Sequence, residues 1–191
     1  MNKRIAIAVA AAAALAGCGG ASWVDPTTGT FSAQDSADVM NMVSGAFGAV
    51  ARQPAQNPVQ GSKALSQSSI VACAVSGNVT VTSSVNANCN ASGSACSFNG
   101  NVEIDLNTCT TQNLIGTGGL NASVNGSETT TGNVTAFTVT EHVQGGITVK
   151  RASDQSIVGT CGIFLDATVT SDGTTETVHV TGSICKQAVA Q

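Results

Sequence analysis

Cysteine is the residue type with the clearest chemistry in this 191-residue chain. Six of the seven cysteines follow residue 70: Cys73, Cys89, Cys96, Cys109, Cys161 and Cys185. An even number of thiols predicts three disulfides in an oxidising compartment. A metal centre is the alternative, but the chain has no Cys-x-x-Cys pair and only two histidines. We therefore predict neither a metal site nor a cofactor.

Glu141 and Arg151 form the second candidate site. Glu141 lies between Val139 and Val143, so on a β-strand it shares their apolar face. An unpartnered carboxylate on such a face is costly, and Arg151 falls on the same face farther along the strand. This pattern predicts a polar spot in a ligand-binding groove. A position at the rim of the sheet, or a local change of register, is the alternative interpretation.

The remaining polar residues do not form a catalytic motif. There is no Gly-x-Ser-x-Gly sequence, and His142 and His179 both fall on the polar faces of their strands. Charged residues make up only 9% of the chain, and 7 Lys+Arg against 11 Asp+Glu leave no basic surface for phosphate groups. We therefore expect no enzymatic activity and no nucleic-acid binding.

The first eighteen residues resemble an export signal. A basic start, Met1–Arg4, precedes the apolar run Ile5–Leu15, which is too short to span a bilayer comfortably. The following Leu15-Ala16-Gly17-Cys18 resembles the lipobox of bacterial lipoproteins. The resemblance implies removal of residues 1–17, a diacylglyceryl group on the Cys18 sulfur and an acyl group on its amine; an ordinary signal peptide is the alternative. Gly19 is not the Asp that retains enteric lipoproteins at the inner membrane, so the resemblance favours an outer-membrane anchor.

The next fifty residues predict a tether, a helix and a linker. Residues 18–31 are rich in Gly, Ser and Thr and are typical of a flexible tether. Ser32 and Asp35 fit a capping box, and apolar residues at helical spacing predict an amphipathic helix from about 33 to 52. A linker with two prolines follows, so residues 32–68 comprise helix and linker. We expect the helix to pack on the sheet formed by residues 69–191.

From residue 69 onward, apolar side chains alternate with polar ones. This period of two, interrupted by turn signals about every twenty residues, predicts six strands. They lie near residues 69–89, 95–108, 114–128, 133–151, 156–170 and 174–186. A tight turn at Gly145 would divide the fourth strand and give seven. The predicted fold is mainly β, an antiparallel meander whose long strands form a curved sheet, a half-barrel or a barrel.

The turn positions predict which residues pair, because paired residues of a hairpin have a constant sum of numbers. In the first hairpin Val81 faces Ile104 and Cys89 faces Cys96. The later turns pair Val124 with Val139, Val143 with Ile163, and Leu165 with Val180.

Opposed positions make Cys89–Cys96 the firmest disulfide. Cys73–Cys109 and Cys161–Cys185 are the preferred remaining pairs, and Cys73–Cys185 is the alternative if the first and last strands meet. Cys185 falls on the face opposite Val180 and Ile184, so its bond to Cys161 requires a bulge or a frayed strand end.

Together these features predict a non-catalytic lipoprotein with a binding or structural role at the bacterial outer membrane. Its predicted partners are the membrane, through the N-terminal lipid, and an envelope protein or an apolar ligand. Two more specific roles remain open at this point. A carrier would hold an apolar ligand in a cavity lined by residues such as Val79, Leu106 and Val139. An adhesive or assembly subunit would present an unpaired edge strand.

Overall fold

The computed structural model describes residues 25–50 and 61–190. The lipobox, with Cys18, and the linker at 51–60 lie outside the described residues. The described elements, in chain order, are β1 (Thr28–Gly29), α1 (Ala33–Val50), β2 (Gly61–Ala72), β3 (Ser76–Cys89), β4 (Ala95–Thr110), β5 (Leu114–Thr131), β6 (Val134–Arg151), β7 (Ile157–Ser171), β8 (Glu176–Ile184) and β9 (Gln187–Ala190).

All described strands belong to one antiparallel sheet, in which β2 to β9 follow one another in chain order. The short β1 pairs with the start of β7, so that Thr28 faces Thr160. The predicted mainly β meander with one packing helix is therefore confirmed. The sheet is not closed, and β2 and β9 are the ends of the strand order, so the expectation of a barrel is corrected to an open sheet.

The structure has nine strands in its described part, not six. The predicted first strand, 69–89, reverses direction after Ala72 and forms β2 and β3. Gly77 adopts a φ of +82°, and the amide of Cys73 donates to its carbonyl at 3.2 Å. The turn could not be recognised from the sequence, because Val71 and Val79 pair across it and the alternation of apolar and polar residues continues through it without a break. Residues 61–68, assigned to the linker, thus belong to β2.

The predicted register is correct in the first hairpin and displaced by two residues in the later ones. Val81 faces Ile104 and Cys89 faces Cys96, as predicted. Val124 faces Glu141 rather than Val139.

Similarly, Val143 faces Leu165 instead of Ile163, and Leu165 faces Gly182 instead of Val180. In the β5–β6 hairpin the cause is the turn, which is formed by Gly132-Asn133 and not by Thr131-Gly132. Gly132 has a φ of +62°, which suits the first central position of a two-residue hairpin turn. A displacement of two residues leaves every side chain on its predicted face.

The core lies between this sheet and α1. We use "core face" for the side of the sheet that carries Val81, Ile104, Leu120, Ile147 and Ile163, all fully buried, and "outer face" for the other side. Val39, Met42 and Val43 of α1 are buried in the same cluster. No helix among residues 25–50 and 61–190 has the length and apolarity needed to cross a membrane.

A glycine on β5 makes room for the helix. Gly116 lies beneath α1, and a Cβ at this position would lie only 2.7 Å from the Sδ of Met42. The close approach of helix and sheet therefore depends on the missing side chain.

Three disulfides join the predicted pairs, Cys73–Cys109, Cys89–Cys96 and Cys161–Cys185. The conflict over the face of Cys185 is resolved by a turn that the sequence did not reveal. Cys185 and Lys186 connect β8 to β9 with φ values of +50° and +67°, so Cys185 leaves the strand alternation and reaches Cys161.

The segment before α1 is attached to the sheet. The Oγ1 of Thr27 accepts a hydrogen bond of 2.8 Å from the amide of Gly162, and Thr27 is buried. Pro26 lies over Gly146, where a Cβ would lie 3.2 Å from the Cγ of the proline. Residues 25–31, assigned from the sequence to the tether, therefore include a docked segment, Asp25–Thr27, on a glycine-lined part of the outer face.

We predict that Gly162→Ala displaces this segment. The added Cβ would lie within 2.9 Å of both Pro26 and Thr27, and such overpacking costs about 1 to 3 kcal/mol in free energy of unfolding. Chemical denaturation measures this loss, and hydrogen exchange reports faster opening at residues 27–29. Gly119→Ala is the control, because Gly119 lies in the same cross-strand row without that cover. Equal effects of the two substitutions would contradict the docking of Asp25–Thr27.

Candidate functional site

Glu141 occupies the core face of β6, as the alternation predicts. Its cross-strand neighbours are Val124 on β5 and Ala167 on β7. The residue as a whole is partly exposed, but its Oε1 is buried and has no hydrogen-bond partner among the described residues. Removal of the carboxyl from water raises the pKa of Glu141 to about 7, because burial disfavours the charged form.

The surroundings of Glu141 on the core face are apolar. The cross-strand row that contains it consists otherwise of Val85, Gly100, Val124, Ala167 and Val180. We call this set, with Glu141, the carboxyl row. From β3 to β8, the next row toward the Cys89–Cys96 end of the sheet is the apolar row: Ala87, Phe98, Gly126, Val139, Val169 and Val178. On β2, Lys63 pairs with Ala87 of this row. Acidic side chains reappear only at the rim beyond it, where Glu128 faces Phe137 and Glu176 faces Ser171.

Arg151 does not lie beside Glu141. Ten residues of β6 separate the two, which corresponds to about 30 Å along a strand. The guanidinium instead binds the carboxylate of Asp35 through both terminal nitrogens; the Nη2–Oδ2 distance is 3.1 Å, and the other contact joins Nη1 to Oδ1. The predicted groove containing Glu141 and Arg151 together is therefore two separate polar sites.

Asp35 belongs to the start of α1, where the predicted capping box is present. The Oγ of Ser32 accepts from the amide of Asp35 at 3.1 Å, and the carboxylate of Asp35 accepts from the amide of Ser32 at 3.0 Å. Asp38, one turn on, accepts from the side-chain amide of Asn113 at 2.9 Å. These bonds attach the first turn of α1 to the β4–β5 turn and to the end of β6.

The electrostatics of this attachment are those of a half-buried ion pair. The Asp35 side chain is almost completely buried, whereas that of Arg151 is 39% exposed. The hydrogen bond from Arg151 lowers the pKa of Asp35, with burial acting in the opposite direction. Sequence reasoning identified Asp35 as a cap and Arg151 as a core-face residue, and only the position of the helix brings them together.

A second polar cluster, which the sequence did not indicate, lies on the outer face. The Nδ1 of His142 is 2.6 Å from the Oδ1 of Asp166 on the neighbouring strand, and the imidazole contacts the edge of Phe164 with ring centres 4.9 Å apart. Ser123 lies opposite His142 on β5, but no hydrogen bond joins the two side chains in the described structure. Both members of the pair are substantially exposed. The arrangement is a hydrogen-bonded histidine–aspartate pair in a shallow surface depression.

Comparisons with known proteins do not assign this chain to a family. No protein-family model matches it, and no curated protein and no solved structure shows significant similarity to it.

We predict that Arg151→Gln lowers the free energy of unfolding by about 2 kcal/mol at neutral pH. The substitution removes the charged hydrogen-bond donor of the buried Asp35 carboxylate, and such a loss costs on that order. Because the pKa of Asp35 is lowered from its ordinary value of 3.8, its ionised form stabilises the fold at pH values above 3.8. This stabilisation is lost as the pH falls below 3.8. In the variant this acid-dependent loss is smaller. Urea denaturation between about pH 2 and pH 7 measures both effects. Lys150→Gln removes the adjacent cation, and an equal loss there would refute a specific role of the ion pair.

We predict the opposite pH dependence for Glu141. Its raised pKa means that the folded protein holds a proton that the unfolded chain releases, so stability declines as the pH rises from about 4.5 to above 7. The decline amounts to at most about 3 kcal/mol, from 1.36 kcal/mol for each pKa unit. Glu141→Gln abolishes it, which is measurable by urea denaturation at several pH values. The control Glu103→Gln, at an exposed position, leaves the dependence of unfolding free energy on pH unchanged. If this dependence persists in Glu141→Gln, another group causes it.

Proposed function

We propose that this chain is a lipid-anchored, non-catalytic protein of the bacterial outer membrane with a binding or structural role in the envelope. The observation that carries the proposal is Cys18, which ends a basic and then apolar leader with the sequence Leu-Ala-Gly-Cys. Acyl chains on this residue would provide a stable anchor, since each buried CH₂ contributes roughly 0.8 kcal/mol to membrane binding.

The three disulfides support export of the chain. Such bonds persist in oxidising compartments, which include the bacterial periplasm and cell surface. Cys18 is not needed for them, because the other six cysteines are joined in pairs.

The docked Asp25–Thr27 segment defines how far the folded body extends from such an anchor. Seven Cα–Cα steps separate Cys18 from Asp25, and a fully extended chain of that length spans at most about 25 Å. The sheet would therefore lie close to the membrane surface, and the function we propose is one performed there.

Fractionation of bacterial membranes tests the anchor. We expect the full chain, expressed in an enteric bacterium, to sediment with the outer membrane and to carry acyl groups on Cys18 by mass spectrometry. Cys18→Ser abolishes the acyl groups, whereas Gly19→Asp keeps them and moves the protein to the inner membrane, since Asp after the lipidated cysteine retains enteric lipoproteins there. Wild-type protein without acyl groups would refute the proposal. Acylated protein found only in the inner membrane would refute its outer-membrane part.

A further inference from the structure

The carboxyl of Glu141 is buried on the core face without a hydrogen-bond partner for its Oε1 among the described residues. Arg151, the other ionisable group predicted for this face, is bound to Asp35. Lys150 lies on the outer side of β6, opposite Ile115, and Lys186 lies in the β8–β9 turn. On β2, Lys63 pairs with Ala87 and so lies at the far end of the neighbouring row, four strands from β6. The Oε1 of Glu141 accepts no hydrogen bond from any described group.

The apolar row beside Glu141 is incompletely covered. Ala87, Val139 and Val178 are only partly buried, and so is Ala167 next to Glu141 itself. By contrast, Val39, Met42 and Val43 of α1 lie in the fully buried part of the core, and Met42 contacts Gly116 near the opposite end of the sheet. The core face thus carries accessible apolar side chains on the same side of Glu141 as the rim.

We infer that Glu141 and the apolar row form a binding site for a cationic amphiphile, a molecule with an alkyl chain and a primary amine. The amine would donate a hydrogen bond to the unpartnered Oε1, and the alkyl chain would lie against Val139 and Val178. This inference deepens the binding role proposed above and rests on it, but the site itself does not require the lipid anchor.

The chemistry of the carboxyl favours an amine over other polar groups. A carboxylate in apolar surroundings is stabilised by an opposite charge with a hydrogen bond, and such charge-assisted bonds are about twice as strong as neutral ones. A fatty acid would place a second carboxylate beside Glu141, which is unfavourable for both groups. The acidic residues outnumber the basic one at this end of the face, because Glu128 and Glu176 lie beyond the apolar row and Lys63 is the one described lysine that pairs into it, so the local charge favours cations.

The protonation of Glu141 determines the pH dependence of binding. The groups facing it are the apolar residues of its own row and of the apolar row. The charged residues at this end of the core face are Lys63 on β2 and the rim residues Glu128 and Glu176. Its proton must leave before the carboxylate can pair with an ammonium group. Amine binding therefore strengthens as the pH rises through about 7, where Glu141 titrates.

Calorimetric titration tests this site on the full chain carrying Cys18→Ser, so that no attached acyl group competes. The probes are dodecylamine, dodecanol and dodecanoate, each below its micelle concentration. At about pH 8, we expect dodecylamine to bind at least about tenfold more tightly than dodecanoate, a difference of one decade in Kd. Glu141→Gln removes this preference and leaves dodecanol binding unchanged, whereas the control Glu103→Gln behaves as the parent protein.

A second variant, Val178→Trp, fills the apolar row and should weaken dodecylamine and dodecanol alike, which keeps the test decisive if Glu141→Gln does not fold. Absence of dodecylamine binding overturns the inference, as does equal binding of dodecanoate or unchanged amine binding in Glu141→Gln. These outcomes leave the anchor untouched, because acylation of Cys18 and membrane fractionation are measured separately. Conversely, a chain that is not acylated but binds dodecylamine would refute the anchor and retain the site.

Discussion

The alternation of apolar and polar side chains along successive strands is the constraint on which the rest of this structure depends. It places the apolar side chains on one face of the sheet from β3 to β8, and the helix covers part of that face. Because a strand has a side-chain period of two, displacement by two residues preserves the buried face, whereas displacement by one exposes it. The burial of apolar area therefore determines the face of each residue strongly and its cross-strand partner only weakly.

This difference explains which parts of the fold could be predicted from the sequence. The faces of Val81, Ile104 and Glu141 were correct because hydrophobicity alone determines them. The partners of Val124 and Leu165 were displaced because they depend on which two residues form each turn. That choice depends on backbone conformation: a turn at Gly132-Asn133 places the positive φ of its first central position on a glycine, whereas a turn at Thr131-Gly132 would place it on a threonine. The turn between β2 and β3 escaped detection for a related reason, since Val71 and Val79 continue one alternation on both sides of it.

The same distinction applies to the candidate site: the face of each residue could be predicted from the sequence, but its partner could not. The sequence placed Glu141 and Arg151 on one face, and both lie there, but their distance along β6 makes them independent. The partner of Arg151 is a helix residue 116 positions earlier in the chain, and no spacing rule connects the two. The capping box predicted the role of Asp35 within α1, and the contact with β6 follows from packing of Val39 and Val43. Local patterns thus predicted each residue's own environment and not the pairs that the tertiary structure creates.

The two buried carboxyl groups, Asp35 and Glu141, differ in their hydrogen-bond partners and therefore in the direction of their pKa shifts. Asp35 receives hydrogen bonds from Ser32 and a guanidinium from Arg151, which together keep it ionised and lower its pKa. The Oε1 of Glu141 has no hydrogen-bond partner in the described part of the chain, and the pKa of Glu141 is raised. A neutral side chain of the same shape at position 141 would avoid the cost of removing a carboxyl group from water. A buried carboxyl group stabilises the fold only when it is paired. An acid at this position is suited to a partner from outside the chain. The three disulfides, each contributing about 2 to 4 kcal/mol, offset the cost of the unpaired group.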